Sequence, residues 1–183
     1  SYAGIFCFIS GSSVVLIRLL QVPVANFGYC FAFGVSGYML GTIICRRLLT
    51  LFSSAKVLRI GSSVSLISNA LFLALVIAGV AHWALILFAM HMTMMAHGIN
   101  FPVAQSNSVA PFAAQAGTAA GLLGALYMLM AFCAGSIVGA TYNGSLYPLA
   151  LISCAVGALI FISARFSNLS MSPNPIDSLA ENE

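Results

Sequence analysis

Residues 83–142 read WALILFAMHMTMMAHGINFPVAQSNSVAPFAAQAGTAAGLLGALYMLMAFCAGSIVGATY, and this stretch decides the fold. Two runs without a charged residue, about 83–104 and 117–142, flank a polar segment that carries Pro111. Crossing a hydrocarbon layer of about 30 Å takes about 20 apolar residues at a rise of about 1.5 Å each, so each run is long enough. A charge at the bilayer centre costs about 2.5–3.5 kcal/mol on insertion scales; charge-free runs of this length therefore predict membrane spans.

The rest of the chain obeys the same rule. Of 183 residues 61% are hydrophobic and 5% charged, with a mean hydropathy of +1.07; a soluble domain is about a quarter charged. No Asp or Glu occurs between Tyr2 and Arg165. Six spans are expected, at about 2–20, 27–45, 60–80, 83–104, 117–142 and 146–164. The second stops at Arg46-Arg47, and a hinge of about a dozen residues with Lys56 and Arg59 leads to the third. His82 marks a short turn before Trp83, an interfacial aromatic. Gln105 to Gln115 form a polar loop, and Asn143-Gly144 is a turn dipeptide. With Ser145 that dipeptide also matches a glycosylation sequon, but the tight turn is the better reading. Residues 166–183 are rich in Ser, Asn and Pro and hold all three acids, which predicts a disordered, water-exposed tail.

Backbone N–H groups in hydrocarbon must bond within their own segment, so the spans are helices and the fold is an all-α integral membrane bundle over residues 1–165. Arg46, Arg47, Lys56, Arg59 and Arg165 fall on one side of an alternating six-span path, and Arg18 alone on the other. The basic side is expected to be cytoplasmic, which puts both ends of the chain inside. The chain opens on Ser1 and turns apolar within a few residues, so it reads as a piece of a longer polypeptide. Cys7, Cys30, Cys45, Cys133 and Cys154 lie in apolar runs without a CxxC and read as packing residues, with no metal or cofactor implied. A net charge of +3 is ordinary for a membrane protein and makes no case for nucleic acid.

Polar content concentrates in the fourth span. Met90, Thr93, His97 and Asn100 recur at three- and four-residue spacing and share one helical face with Ile86. His91 lies about 120° round, facing Met94, Met95 and Gly98. A Thr/His/Asn stripe in a membrane must point at protein or water, so it serves either interhelical bonding or a cavity with an adaptable methionine wall. His97 is a candidate for proton handling. Pro102 is expected to loosen the end of that span. Phe6, Phe33, Tyr127 and Met128 are further cavity candidates. Gly37 and Gly41 in the second span, and Gly117, Gly121 and Gly124 in the fifth, form small-residue stripes for close helix packing or for bending during a cycle. An intramembrane serine protease would need a nucleophile beside its base; Gly61-Ser62-Ser63 and His97 supply the types, without the Gly-x-Ser-Gly pattern.

From Gly98 to Gly124 the chain resembles the bicyclomycin/chloramphenicol-resistance branch of the major facilitator drug:proton antiporters. The residues that carry the likeness are Ala110-Pro111-Phe112, then Ala116-Gly117-Thr118-Ala119 with Leu122 or Leu123 and Gly124. Phe27–Gly41 followed by Arg46-Arg47 is similar to that branch's second helix and basic loop of the C-terminal half. The resemblance implies a twelve-helix exporter in the bacterial inner membrane, of which this is the C-terminal six-helix half, built as two inverted three-helix repeats. Its cargo would be drug-like or amphiphilic small molecules, moved against protons by alternating access. The first, second, fourth and fifth spans would face the cavity, and the partner N-terminal half would carry the proton-coupling acids. Other readings left open are a carrier of another metabolite, the protease, and a six-helix scaffold that dimerises.

Overall fold

A computed structural model describes residues 16–17, 22–80, 82–141 and 143–166. Apart from residues 16–17, the first expected span, with Phe6 and Arg18, lies outside these residues, as does the tail 167–183. Among the described residues there are five long helices and no strand. They are α1 (Val24–Leu51), α2 (Ser54–Ile77), α3 (Trp83–Val109), α4 (Ala116–Thr141) and α5 (Tyr147–Phe166). A 3-10 segment, Ala110–Gln115, joins α3 to α4. Four apolar helical stretches are long enough to cross a membrane: α1, α2, α5 and the 59-residue stretch Trp83–Thr141 that contains both α3 and α4.

Three of the helices, α1, α2 and α3, outrun the expected spans. α1 has 28 residues, about 42 Å at 1.5 Å each, against about 30 Å of hydrocarbon. Arg46 and Arg47 lie inside it, because a cation ends the stretch that lipid can cover without ending the helix, and Arg is a good helix former. The dozen-residue hinge therefore contracts to Phe52 and Ser53, and Lys56 and Arg59 ride on α2. At the far end of α2 Gly79 adopts φ +69, with Gly79 N–H donating to Val76 and Val80 N–H to Leu75 at 3.1 and 3.0 Å. This left-handed helix cap lets the chain reverse within a few residues. The loop expected at Gln105–Gln115 is helical to Val109 and then 3-10. Pro102 sits inside α3, which continues past it because its neighbours Ile99, Asn100 and Val103 are buried in tertiary contacts.

A straight helix of 59 residues would be about 88 Å long, so the stretch Trp83–Thr141 must fold back. It does so at Phe112, whose φ −109, ψ 34 is not helical. Phe101 and Tyr127, equidistant from position 114, touch with ring centroids 5.6 Å apart, which makes α3 and α4 an antiparallel hairpin. The Asn143 side chain closes the next turn, its Oδ1 accepting Ser145 N–H at 3.2 Å and Ser145 Oγ–H at 2.6 Å.

Small residues set the packing. A Cβ placed on Gly98 of α3 would lie 3.0 Å from Gly41 Cα and against the Tyr38 carbonyl; one on Gly37 would lie 2.5 Å from the His91 carbonyl. α1 and α3 thus cross backbone to backbone, the closeness on which helix association in lipid depends. α2 packs on α3 through Gly61 and on α5 through Asn69, which covers Gly157. The main core joins Phe72, Val76, Ile86, Ala89, Met90 and Met94 to Ala134 and Val138 of α4 and to Leu149 and Ala150 of α5. A second cluster, Cys45, Val57, Ile99 and Val103, ties α1, α2 and α3 near the α1–α2 junction.

Candidate functional site

His97 lies on α3 against α1. Four residues on along α3 stands Phe101, so the two rings share a face, stacked with centroids 5.1 Å apart and planes at 22°. Tyr38 of α1 reaches the imidazole at 5.7 Å because its neighbours Gly37 and Gly41 let α1 approach. Phe101 passes the contact on to Tyr127 of α4 at 5.6 Å and 55°. The result is a ladder of four rings, Tyr38–His97–Phe101–Tyr127, drawn from α1, α3 and α4. Ring pairs of this kind contribute about 0.5–1.5 kcal/mol each beyond the area they bury. His97 is 5% exposed, so its ring is buried within the ladder.

A second imidazole lies two turns earlier on α3. His91 stacks on Phe33 at 4.4 Å and 27°, and its Nδ1 lies 2.7 Å from the Phe33 carbonyl. A carbonyl oxygen only accepts, so Nδ1 carries the proton and donates. The same carbonyl accepts Ser36 Oγ–H at 2.7 Å. His91, 6% exposed, therefore fixes α3 against α1 through both its ring and its proton.

The Thr93/His97/Asn100 face divides between two neighbours. Thr93 Oγ–H bonds its own Ala89 carbonyl at 3.1 Å and lies 3.4 Å from Ser68 Oγ of α2. Asn100, 1% exposed, is pressed against Gly61 of α2, and neither its Oδ1 nor its Nδ2 has a hydrogen-bond partner among the described residues. Only His97 turns toward the ring ladder. Met90 is buried in the main core at 4% exposed. Phe33 is 43% exposed beside His91, and Met128 is 57% exposed, about 100° round α4 from Tyr127. Cβ atoms on Gly117, Gly121 or Gly124 would meet nothing within 4 Å among the described residues, so this stripe is open. Pro102 adjoins Phe101, and its missing N–H leaves the Gly98 carbonyl without its usual helical donor.

Tyr38 and Phe101 were not among the residues expected in the site. The four-residue spacing of His97 and Phe101 signals their contact; nothing local signals Tyr38. Also unforeseen is a polar spine on α2: Ser62, Ser65, Ser68 and Asn69 are all buried, and Asn69 Nδ2 donates to the Ser65 carbonyl at 2.8 Å. Ser62 Oγ donates to its own helix at the Arg59 carbonyl, 2.9 Å away. Outward from the ladder, at the elbow of the hairpin, lies a cavity of about 300 Å³ lined by Ser108, Phe112, Gln115, Thr118, Leu122 and Leu126. Among the described residues no group of three or more His, Cys, Asp or Glu could hold a metal. The half-buried rings of Tyr38, Phe101 and Tyr127 suit a ligand with apolar planes and few polar groups.

No family profile matches this chain. No solved structure matches it either. The chain is 26% identical over 179 residues to the bicyclomycin resistance protein homolog of Haemophilus influenzae. That alignment takes in 90% of this chain and 42% of the relative, so the chain spans about two fifths of the relative's length. On its apolar helices and this likeness the chain is a multi-pass, all-helical membrane protein that resembles bicyclomycin-resistance proteins.

Proposed function

We propose that the chain is the C-terminal half of a major facilitator drug:proton antiporter, exporting amphiphilic, drug-like molecules by alternating access. In this reading it crosses the bacterial inner membrane six times, as two inverted three-helix repeats, with both ends in the cytoplasm. The absent N-terminal six-helix half supplies the opposite wall of the cavity and the carboxylates that exchange protons. The observation that carries the reading is the ring ladder around His97, in a chain similar to a bicyclomycin-resistance protein. Three helices contribute rings to it, and the half-buried rings of Tyr38, Phe101 and Tyr127 offer a flat, apolar cargo faces to stack on, with His97 buried between Tyr38 and Phe101 to hold them in place.

The test is efflux of bicyclomycin in vesicles carrying the full-length protein. His97→Ala removes the ring that holds Tyr38 and Phe101 in place, a contact of about 0.5–1.5 kcal/mol; a loss of that size is a two- to tenfold loss of affinity, so efflux falls while insertion is kept. Unchanged efflux by a correctly inserted His97→Ala protein removes the ladder from the mechanism.

A further inference from the structure

One end of the bundle is strongly basic. α1 finishes there, α2 begins after two intervening residues, and α5 returns to it after the α3–α4 hairpin. Arg46 and Arg47 on α1, Lys56 and Arg59 on α2, and Arg165 on α5 are all exposed at this end. The sequence has no Asp or Glu before Asp177, so its three acids all fall in the last seven residues. Two of them are seated on rings: Lys56 Nζ lies 4.1 Å from the centre of Phe52, and Arg165 Cζ lies 4.9 Å from that of Phe161. A cation over an aromatic face keeps its apolar stem down and its charge at the rim. Large apolar side chains stand in the open on the same helix ends, with Ile43 52%, Leu51 71% and Phe166 69% exposed.

We propose that this collar binds the headgroups of anionic phospholipids, with the acyl chains lying on the apolar side chains beside it. The pairing of charge and apolar wall is what selects a lipid. A soluble anion would use the cations alone, and a zwitterionic lipid would use the wall alone. The collar acts by charge, at about fivefold in affinity per Lys or Arg near the surface.

The experiment uses the full-length protein in detergent and counts bound lipid by native mass spectrometry. Phosphatidylglycerol, phosphatidylcholine with the same chains, and inorganic phosphate are compared. Phosphatidylglycerol is expected to bind at least tenfold more tightly than phosphatidylcholine, and millimolar phosphate not to displace it. Lys56→Gln and Arg165→Gln should each weaken it about fivefold, and joining Arg46→Gln and Arg47→Gln to them should abolish the preference. In the unsubstituted protein, raising salt from 50 to 500 mM should weaken phosphatidylglycerol several-fold and leave phosphatidylcholine unchanged, a readout that needs no variant to fold. Equal binding of the two lipids, displacement by phosphate, or a preference indifferent to both salt and the substitutions would overturn the proposal. None of these outcomes depends on the identity of the cargo.

Discussion

Replacing Gly98 by alanine adds one methyl group where α1 and α3 cross, and all three of its nearest neighbours are backbone atoms. The new Cβ would stand 3.0 Å from Gly41 Cα, 3.0 Å from Thr42 N and closer still to the Tyr38 carbonyl, where ordinary contact begins at 3.4 Å. No side chain can swing aside, so the two helices must part by at least 0.4 Å along the crossing. Overpacking costs about 1–3 kcal/mol, and the rigid surroundings put this site at the upper end. Alanine recovers about 1 kcal/mol in helix propensity, leaving a net loss of about 2 kcal/mol. At roughly 2–4 °C per kcal/mol, the melting temperature falls by roughly 4–8 °C. With Cys7, Cys133 and Cys154 replaced by serine, a thiol-reactive dye reads the transition, because Cys30 and Cys45 on α1 are 8% and 2% exposed and become reactive when α1 leaves α3. Gly121→Ala is the control: its Cβ meets nothing within 4 Å, so the same propensity gain holds or raises the melting point. If Gly98→Ala melts with the parent protein, or Gly121→Ala falls as far, the backbone-to-backbone crossing is wrong.

The two buried asparagines should behave differently. Asn69→Ala loses the 2.8 Å bond to the Ser65 carbonyl and the cover over Gly157, and is expected to cost about 1–2 kcal/mol. Asn100→Ala deletes two polar atoms that have no hydrogen-bond partner among the described residues and should stay within about 1 kcal/mol of the parent; thermal melting in the reverse order would contradict the assigned environments. Spin labels at positions 101 and 127 would lie about 39 Å apart on a continuous helix. The hairpin instead brings them within about 20 Å, the ring-contact separation plus two label arms; pulsed distance measurement in bilayers separates the two.

How far residues alone led depends on whether a feature is local. The helices were legible because charge-free runs and terminal cations reflect the cost of placing charge in lipid. Their ends were not. Arg46, Arg47, Lys56, Gln105 and Ser108 are compatible with helix, so α1, α2 and α3 run past the apolar stretches that announced them. The shared face of Thr93, His97 and Asn100 was legible as a period, yet its neighbours are set by the other helices. Gly61 draws Asn100 to α2, and the glycines of α1 bring Tyr38 to His97. The stripe Gly117–Gly121–Gly124 was the more conspicuous, but the tightest crossing is between Gly41, part of the second-span stripe, and Gly98, which no stripe announced.

The most direct test of the ring ladder as the cargo wall is site-specific protection in the full-length protein. His97→Cys, Tyr127→Cys and, on the outer face of α5, Ile162→Cys are introduced one at a time into a cysteine-free version, and alkylation rates are measured in vesicles. Ile162 is 49% exposed and serves as the reference. Saturating bicyclomycin is expected to slow alkylation at 97 and 127 several-fold and to leave 162 unchanged. Equal rates with and without cargo at 97 and 127, or equal slowing at all three positions, would contradict the account.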